Sequence, residues 1–204
     1  MIEKPIIFKN VLDPKLFYNV YETMHKYLIW DINNRSYKNA SPAWGLSNEQ
    51  RNNELIFFKV ATIIKLKCIQ RYIRKKLQLT TIMYNGQTSG QKSEFHHDSP
   101  TTGLNDDSVW TFVLFTEHYW NTQWGGELVV QYPVGDEFDY FYAPYIPNSG
   151  VLIKSGWEHF GASPNHCTDN LRTTVGYTFT ETSVLDERMK TPFGDKVMKY
   201  FVNT

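Results

Sequence analysis

Cysteine is scarce in this chain. Its 204 residues hold two, Cys68 and Cys167, far apart and outside any CxxC pair. Two isolated thiols supply no disulfide framework and are most simply reduced, so a cytoplasmic protein is expected. Long hydrophobic runs are missing too: none approaches the roughly 20 apolar residues that cross a bilayer. Met1-Ile2-Glu3-Lys4-Pro5 has neither the charged lead nor the apolar stretch of a signal peptide. An excess of one charge is also absent, since Lys plus Arg and Asp plus Glu both number 21. No global field therefore steers the protein toward nucleic acid or membrane. There is no internal repeat and no low-complexity segment, and the length reads as one domain with room for a sizeable core.

What the chain has in quantity is aromatic residues, 16% of the total with 13 Tyr and 13 Phe, which suits a β-rich core. Asp13-Pro14 reads as an N-cap followed by proline at the first helical position, opening a helix to about Trp30. Leu16, Val20, Met24 and Tyr27 make its apolar stripe. Residues 31–48, rich in Asn, Ser and Pro, read as loop, and Ser47 can cap a second helix from Asn48 to about Leu77. From Thr80 the periodicity changes. Thr80 to Tyr84, Glu94 to Asp98, Val109 to Thr116, Glu127 to Gln131, Gly150 to Ile153, His159 to Ala162 and Leu171 to Thr180 are strand candidates. The expected fold is mainly β with flanking helices, a double-stranded β-helix (jelly roll) covered by two N-terminal helices. One domain over residues 1–204 divides into helical support (1–78), a β core (79–182) and a C-terminal segment (183–204), partly helical between Val184 and Tyr200.

Glu94-Phe95-His96-His97-Asp98 carries the chemistry. On a strand His96 and Asp98 project together while His97 points away. A further histidine, His159, lies downstream. Two ligands on one strand plus a distant histidine make a facial triad for Fe(II), with three coordination positions left open. A surface or hydrogen-bonded HxD pair is the bland alternative, and a one-residue register shift would exchange His96 for His97. Arg172 follows His159 by thirteen residues in an alternating segment, with Thr174 on the same face. A forked cation beside a hydroxyl can hold a carboxylate, whereas a plain salt bridge at a strand edge is the other reading.

With these residues the chain resembles the 2-oxoglutarate- and Fe(II)-dependent oxygenases, in their prolyl-hydroxylase-like branch. The matching segments are Met83-Tyr84-Asn85-Gly86, His96-His97-Asp98, Trp124-Gly125-Gly126-Glu127-Leu128, Pro147 to Ile153, His159 to Pro164, and Arg172-Thr173-Thr174. They run in the family's order from about residue 80 to about 180. The resemblance implies iron held by His96, Asp98 and His159, and 2-oxoglutarate bound by Arg172, Thr174 and Tyr84. Dioxygen would be the oxidant and ascorbate an optional reductant. No catalytic side chain beyond the metal centre is implied. A carboxylate at Asp98 favours hydroxylation over halogenation, because halogenases of the family carry a small residue there. A second pocket tyrosine of some relatives is missing, its strand reading Phe112-Val113-Leu114-Phe115.

The implied reaction is hydroxylation of an unactivated C–H bond, foremost a prolyl residue of a peptide or protein, releasing succinate and CO2. A free amino acid, small metabolite or nucleobase stays open as substrate, as does a non-enzymatic cupin-like module holding a metal or ligand. The basic run Lys65, Lys67, Arg71, Arg74, Lys75, Lys76 is the only support for a nucleic-acid partner, and such runs are more often a solvated face. Phe138 to Tyr145 could line a substrate groove or be one more strand with exposed tyrosines. Ser99 to Asp107 suits a mobile loop beside the metal strand.

Overall fold

The computed structural model describes residues 2–34, 43–46, 55–91, 94–98 and 107–185. Its elements run β1 (Ile6–Phe8), α1 (Pro14–Glu22), β2 (Trp30–Asn34), β3 (Ala43–Leu46), α2 (Leu55–Ile64), β4 (Leu77–Gln87), β5 (Val109–Phe115), β6 (Leu128–Val134), β7 (Glu137–Ala143), β8 (Gly150–Lys154), β9 (His159–Gly161) and β10 (Arg172–Glu181). Among the described residues the fold is mainly β, with two α-helices and antiparallel sheets. Among the described residues no helix is long and apolar enough to cross a membrane.

The Asp13 carboxylate accepts from the Leu16 amide at 3.0 Å, so α1 starts at Pro14 as its cap requires. The helix stops short of the expected Trp30. After Glu22 it widens into one π-type turn, Thr23–Tyr27, and Leu28 turns extended. The Trp30 indole then donates to the freed Met24 carbonyl at 2.8 Å, which sets the chain off as β2 instead of a further helical turn. Part of the expected 31–48 loop is therefore strand: β2 pairs with β3, and β3 with β4.

The second helix is also shorter than its pattern promised. It runs from Leu55, loosens into a π-type turn over Lys65–Ile69 and ends there, with β4 beginning at Leu77. Phe57, Phe58, Val60, Ala61 and Ile64 bury one side of it. The basic run lies in this turn and the segment after it. Lys67, Arg71, Arg74, Lys75 and Lys76 are exposed, and Lys75 pairs with Glu181 at 2.8 Å. The proposed start at Asn48, the loop 99–106 and the C-terminal segment from 186 lie outside the described residues.

Seven strands form one sheet in the order β1-β8-β5-β10-β4-β3-β2, and three form another in the order β7-β6-β9. Every described pairing is antiparallel. Because side chains alternate across a strand, the register of β10 divides the larger sheet into two unlike faces. Val175, Tyr177 and Phe179 stand level with Leu114, Phe112 and Trp110 of β5, and Tyr84 and Ile82 of β4 share that face. It is apolar and meets α2, where Phe57 and Tyr84 contact edge to face at 4.8 Å. The other face carries Arg172, Thr174 and Thr178 beside Gln87, Asn85, Phe115, Val113 and Thr111. This polar face looks toward the smaller sheet.

Asn148 joins the turn before β8 to the segment ahead of α1. Its side chain accepts from the Leu12 amide at 3.0 Å and donates to the Leu12 carbonyl at 2.9 Å. Its φ of 56° lies in the left-handed region that asparagine tolerates. Gly150, two residues on, is a matter of space. A Cβ there would stand 2.3 Å from Phe112 Cε1 and 2.9 Å from the Val113 carbonyl. Gly150→Ala should therefore overpack the centre of the sheet and remove about 2 kcal/mol of stability, seen as a lower urea midpoint. An unchanged midpoint would refute this packing.

Candidate metal centre

His96 sits in a short extended segment held to β9 by a two-way backbone bridge. The His96 amide donates to the His159 carbonyl at 3.1 Å, and the His159 amide donates back at 2.9 Å. Directly opposed residues share a face, so the two imidazoles meet with ring centroids 4.7 Å apart. Asp98, two residues on, returns to the same side, whereas His97 between them is exposed. The ligand atoms of His96, Asp98 and His159 lie within 4.8 Å of one another.

The backbone fixes the tautomers. Nδ1 of His96 stands 3.0 Å from the Glu94 carbonyl, and Nδ1 of His159 stands 3.0 Å from the Trp157 carbonyl. A ring nitrogen that donates to a carbonyl leaves the Nε2 lone pair free for a metal. Nε2 of His159 faces Asp98 Oδ2 at 3.5 Å, with both side chains 5% exposed. Burial lowers the His96 pKa, and the neighbouring His159 lowers it further, which keeps that ring neutral. Burial alone would raise the Asp98 carboxyl, but the charge of the adjacent His159, helped by His96 and Thr111, holds it below the usual carboxylate range. In His159 burial is likewise outweighed, here by the Asp98 carboxylate, and the imidazole pKa rises. Asp98 Oδ2 is buried with no hydrogen-bond partner among the described residues. A buried, ionised carboxylate oxygen flanked by two imidazoles and held by no closer donor fits a divalent cation.

Arg172 occupies the other end of the polar face. It is buried between two glycines. A Cβ on Gly126 would stand 3.1 Å from its Cδ, and one on Gly161 would stand 2.9 Å from Nη1 and 3.0 Å from Nη2. Nε donates to the Gly126 carbonyl at 2.6 Å and Nη1 to Gln87 Oε1 at 3.0 Å. Gln87 in turn donates to the Gly161 carbonyl at 2.9 Å. The guanidinium carbon lies 5.3 Å from the Tyr145 ring centroid and 6.0 Å from that of Phe115. Burial pulls its pKa down to about 10, opposed by Tyr145, Glu127 and Glu117. Nη2 has no partner. A buried cationic N–H without an acceptor fits an anionic ligand. Thr174 shares the face, and so does Thr178, whose buried hydroxyl has no hydrogen-bond partner among the described residues.

The fold thus gathers His96, Asp98 and His159 at one place, and Arg172 with Thr174 on the face that looks toward them. Tyr84 is not brought to either. It stands opposite Val175, on the apolar face, with Phe57 against its ring. Several participants went unread in the sequence. Gln87 and Tyr145 brace Arg172. The turn from Lys154 to Trp157 supplies the carbonyl that orients His159, and its Ser155 hydroxyl lies 2.8 Å from that of Thr111, beside Asp98. Lys154, buried at the head of that turn, pairs with Asp107 at 2.8 Å and lies over the Trp110 and Trp157 rings.

No family model matches the chain, and no curated protein matches it. Solved structures do. SnoN, the non-heme alpha-ketoglutarate-dependent epimerase of nogalamycin biosynthesis, aligns with a TM-score of 0.64 at 13% identity over 88% of this chain and 79% of its own. A prolyl hydroxylase from Trichoplax adhaerens, in complex with a hypoxia-inducible-factor degradation-domain peptide, aligns at 0.60 and 14% identity over 89% and 85%. HygX from Streptomyces hygroscopicus, with nickel and 2-oxoglutarate bound, aligns at 0.61 and 10% identity over 87% and 83%. The fold is that of the 2-oxoglutarate- and Fe(II)-dependent oxygenases, prolyl hydroxylases included.

Two outcomes test this geometry. A cation must displace the proton that Asp98 favours on His159, so Mn(II) affinity should fall as pH drops from about 8 to about 6, with proton release rising. Calorimetry in buffers of different ionisation enthalpy reads both, and an affinity flat over that range would contradict the Asp98–His159 pairing. Thr111→Val keeps the shape but removes the hydroxyl beside Asp98. It should weaken Mn(II) binding about 10- to 100-fold; unchanged affinity would show that the hydroxyl does not hold the carboxylate.

Proposed function

We propose that the protein is an Fe(II)- and 2-oxoglutarate-dependent dioxygenase that hydroxylates an unactivated C–H bond, foremost in a prolyl residue of a peptide or protein. The observation that carries this reading is a complementary pair of buried atoms with no hydrogen-bond partner among the described residues, Asp98 Oδ2, which meets His159 only at ion-pair distance, and Arg172 Nη2. One wants a cation and the other an anion. β9 relates the two places, for His159 and Gly161 are two residues apart on it, roughly 7 Å along a strand. Residues 1–204 would form one such domain, with helical support up to 78, a β core from 79 to 182 whose two sheets make a double-stranded β-helix, and a C-terminal segment.

In this reading His96, Asp98 and His159 hold iron through Nε2, a carboxylate oxygen and Nε2. Arg172 holds the far carboxylate of 2-oxoglutarate through Nη2, with the Thr174 hydroxyl beside it. Bound iron, with 2-oxoglutarate and dioxygen, supplies the oxidising power that inserts an oxygen atom into the C–H bond, while succinate and CO2 are released. The protein's part is positioning. Gln87, Gly126 and Tyr145 keep the guanidinium from turning, the carbonyls of Glu94 and Trp157 keep both imidazoles in register, and Phe115 and Val113 keep water off the polar face. Ascorbate would serve as an optional reductant. A peptide substrate is supported by likeness to the Trichoplax prolyl hydroxylase. A small molecule is the second reading, supported by likeness to SnoN.

The test is anaerobic addition of Fe(II), then 2-oxoglutarate, to purified apo-protein. A visible charge-transfer band that needs both additions and is absent in His96→Ala is the expected result. Folded wild-type protein with no band would end the oxygenase reading in favour of a binding module. With iron and 2-oxoglutarate bound, a proline-containing peptide library should gain one oxygen per product, and products confined to other residues would remove the prolyl assignment.

A further inference from the structure

The zero net charge conceals a polarised chain. From Ser93 to Ile153 there is no lysine or arginine, while Glu94, Asp98, Asp106, Asp107, Glu117, Glu127, Asp136, Glu137 and Asp139 fall in that span. The next two cations, Lys154 and Arg172, are both buried, the first paired with Asp107. The described surface contributed by residues 94–171 therefore offers carboxylates and no exposed basic side chain except histidine.

The same surface exposes aromatic rings in a row. β7 is an edge strand of the smaller sheet, and Phe138, Tyr140 and Tyr142 stand on one face of it at 50%, 46% and 62% exposure. Tyr142 and Phe160 both lie level with Val129, which puts Phe160 on that face as well. Phe95 packs against Phe160 at 4.7 Å and lies 6.1 Å from Tyr140. Glu158 shares the face, Asp136 lies exposed in the turn at its end, and the exposed Glu94, Glu137 and Asp139 sit at its edges with their side chains on the opposite strand parity. Acidic residues on an edge strand keep it from pairing with other strands, but that role calls for no row of solvent-facing rings. Aromatic faces bordered by carboxylates suit lysine and arginine side chains, which gain from the ring quadrupole and the charge together.

We infer that this outer face of the three-stranded sheet is a docking site for a basic polypeptide segment, the substrate's own lysine- or arginine-bearing flank. The inference rests on the peptide-hydroxylase reading for its purpose, though binding itself needs no iron. The strands place dock and metal back to back: His96 and His159 project inward while Phe95 and Phe160, their chain neighbours, project outward. A segment held outside leaves the residue to be oxidised free to reach inward around the 94–98 segment.

The experiment is fluorescence anisotropy on full-length apo-protein with a labelled peptide of alternating lysine and proline, against its glutamate–proline counterpart. The lysine probe should bind, more weakly as salt rises, and the glutamate probe should not. The face variants Glu158→Lys and Tyr142→Ala should each weaken binding about tenfold, while Lys67→Glu on the basic turn should not. Equal binding of both probes, or unchanged affinity in both face variants, overturns the proposal. So does a concentration-dependent dimer in sedimentation that the face variants abolish, since a second copy would then own the surface. Probe binding by a protein with no iron–2-oxoglutarate band would leave the dock standing and sink the hydroxylase reading. Band and turnover with no preference for basic flanks would do the reverse.

Discussion

The burial of one guanidinium organises the centre of this molecule. Arg172 is 2% exposed, and a cation taken out of water is costly unless its donors are used. The glycines, the glutamine and the tyrosine around it answer that demand. Gly126 and Gly161 carry no Cβ because the guanidinium occupies the space where one would stand. The Gly126 carbonyl and Gln87 take two of its donors, and the Tyr145 ring lies along its face. Tyr145 is itself clamped, its hydroxyl donating to the Thr173 carbonyl and accepting from the Thr116 and Glu117 amides. Nη2 has no hydrogen-bond partner among the described residues. A buried guanidinium braced on one side and with donors left over on the other fits an anionic ligand there.

The metal-type cluster is built by a different device, backbone pairing of two short segments. Neither Glu94 to Asp98 nor β9 is long enough to hold a side chain rigidly alone. Their two-way bridge fixes the pair, and two carbonyls fix the rings. The Lys154–Asp107 ion pair matters here because Lys154 opens the turn whose Trp157 carbonyl orients His159, with the Trp157 amide donating back to the Lys154 carbonyl at 3.0 Å. Order at that turn passes directly to a candidate ligand.

Short-range chemistry made part of this legible in the sequence. Asp13-Pro14 announced its helix because a cap acts over three residues. His96 and Asp98 read as co-facial because alternation is a property of the chain itself. Helix ends were misjudged where a distant partner decides them, as when the Trp30 indole captures the Met24 carbonyl. Tyr84 shows the other limit. Its motif suggested the pocket, but Gln87 reaches Arg172 and lies three positions on, so strand parity sends Tyr84 to the opposite face. That parity has meaning only once one residue of the strand is anchored, and the anchoring contact spans 85 residues. The braces of Arg172 are invisible for the same reason: their partners are remote and their types, glycine and glutamine, are common.

One constraint ties the inner chemistry to the outer surface. β9 has three residues and pairs with β6 through Val130, Val129 and Leu128. A slip of one residue would turn Phe160 inward and His159 outward, so the pairing that presents the imidazole also presents the ring. The same holds for Phe95 and His96 across the bridge. The aromatic, acidic face and the histidine cluster are therefore two outputs of a single register. Any change that preserves one by preserving the pairing preserves the other, whereas substitutions on the outer face alone leave the inner geometry in place. Recognition on one side of these strands can accordingly vary without disturbing the chemistry on the other.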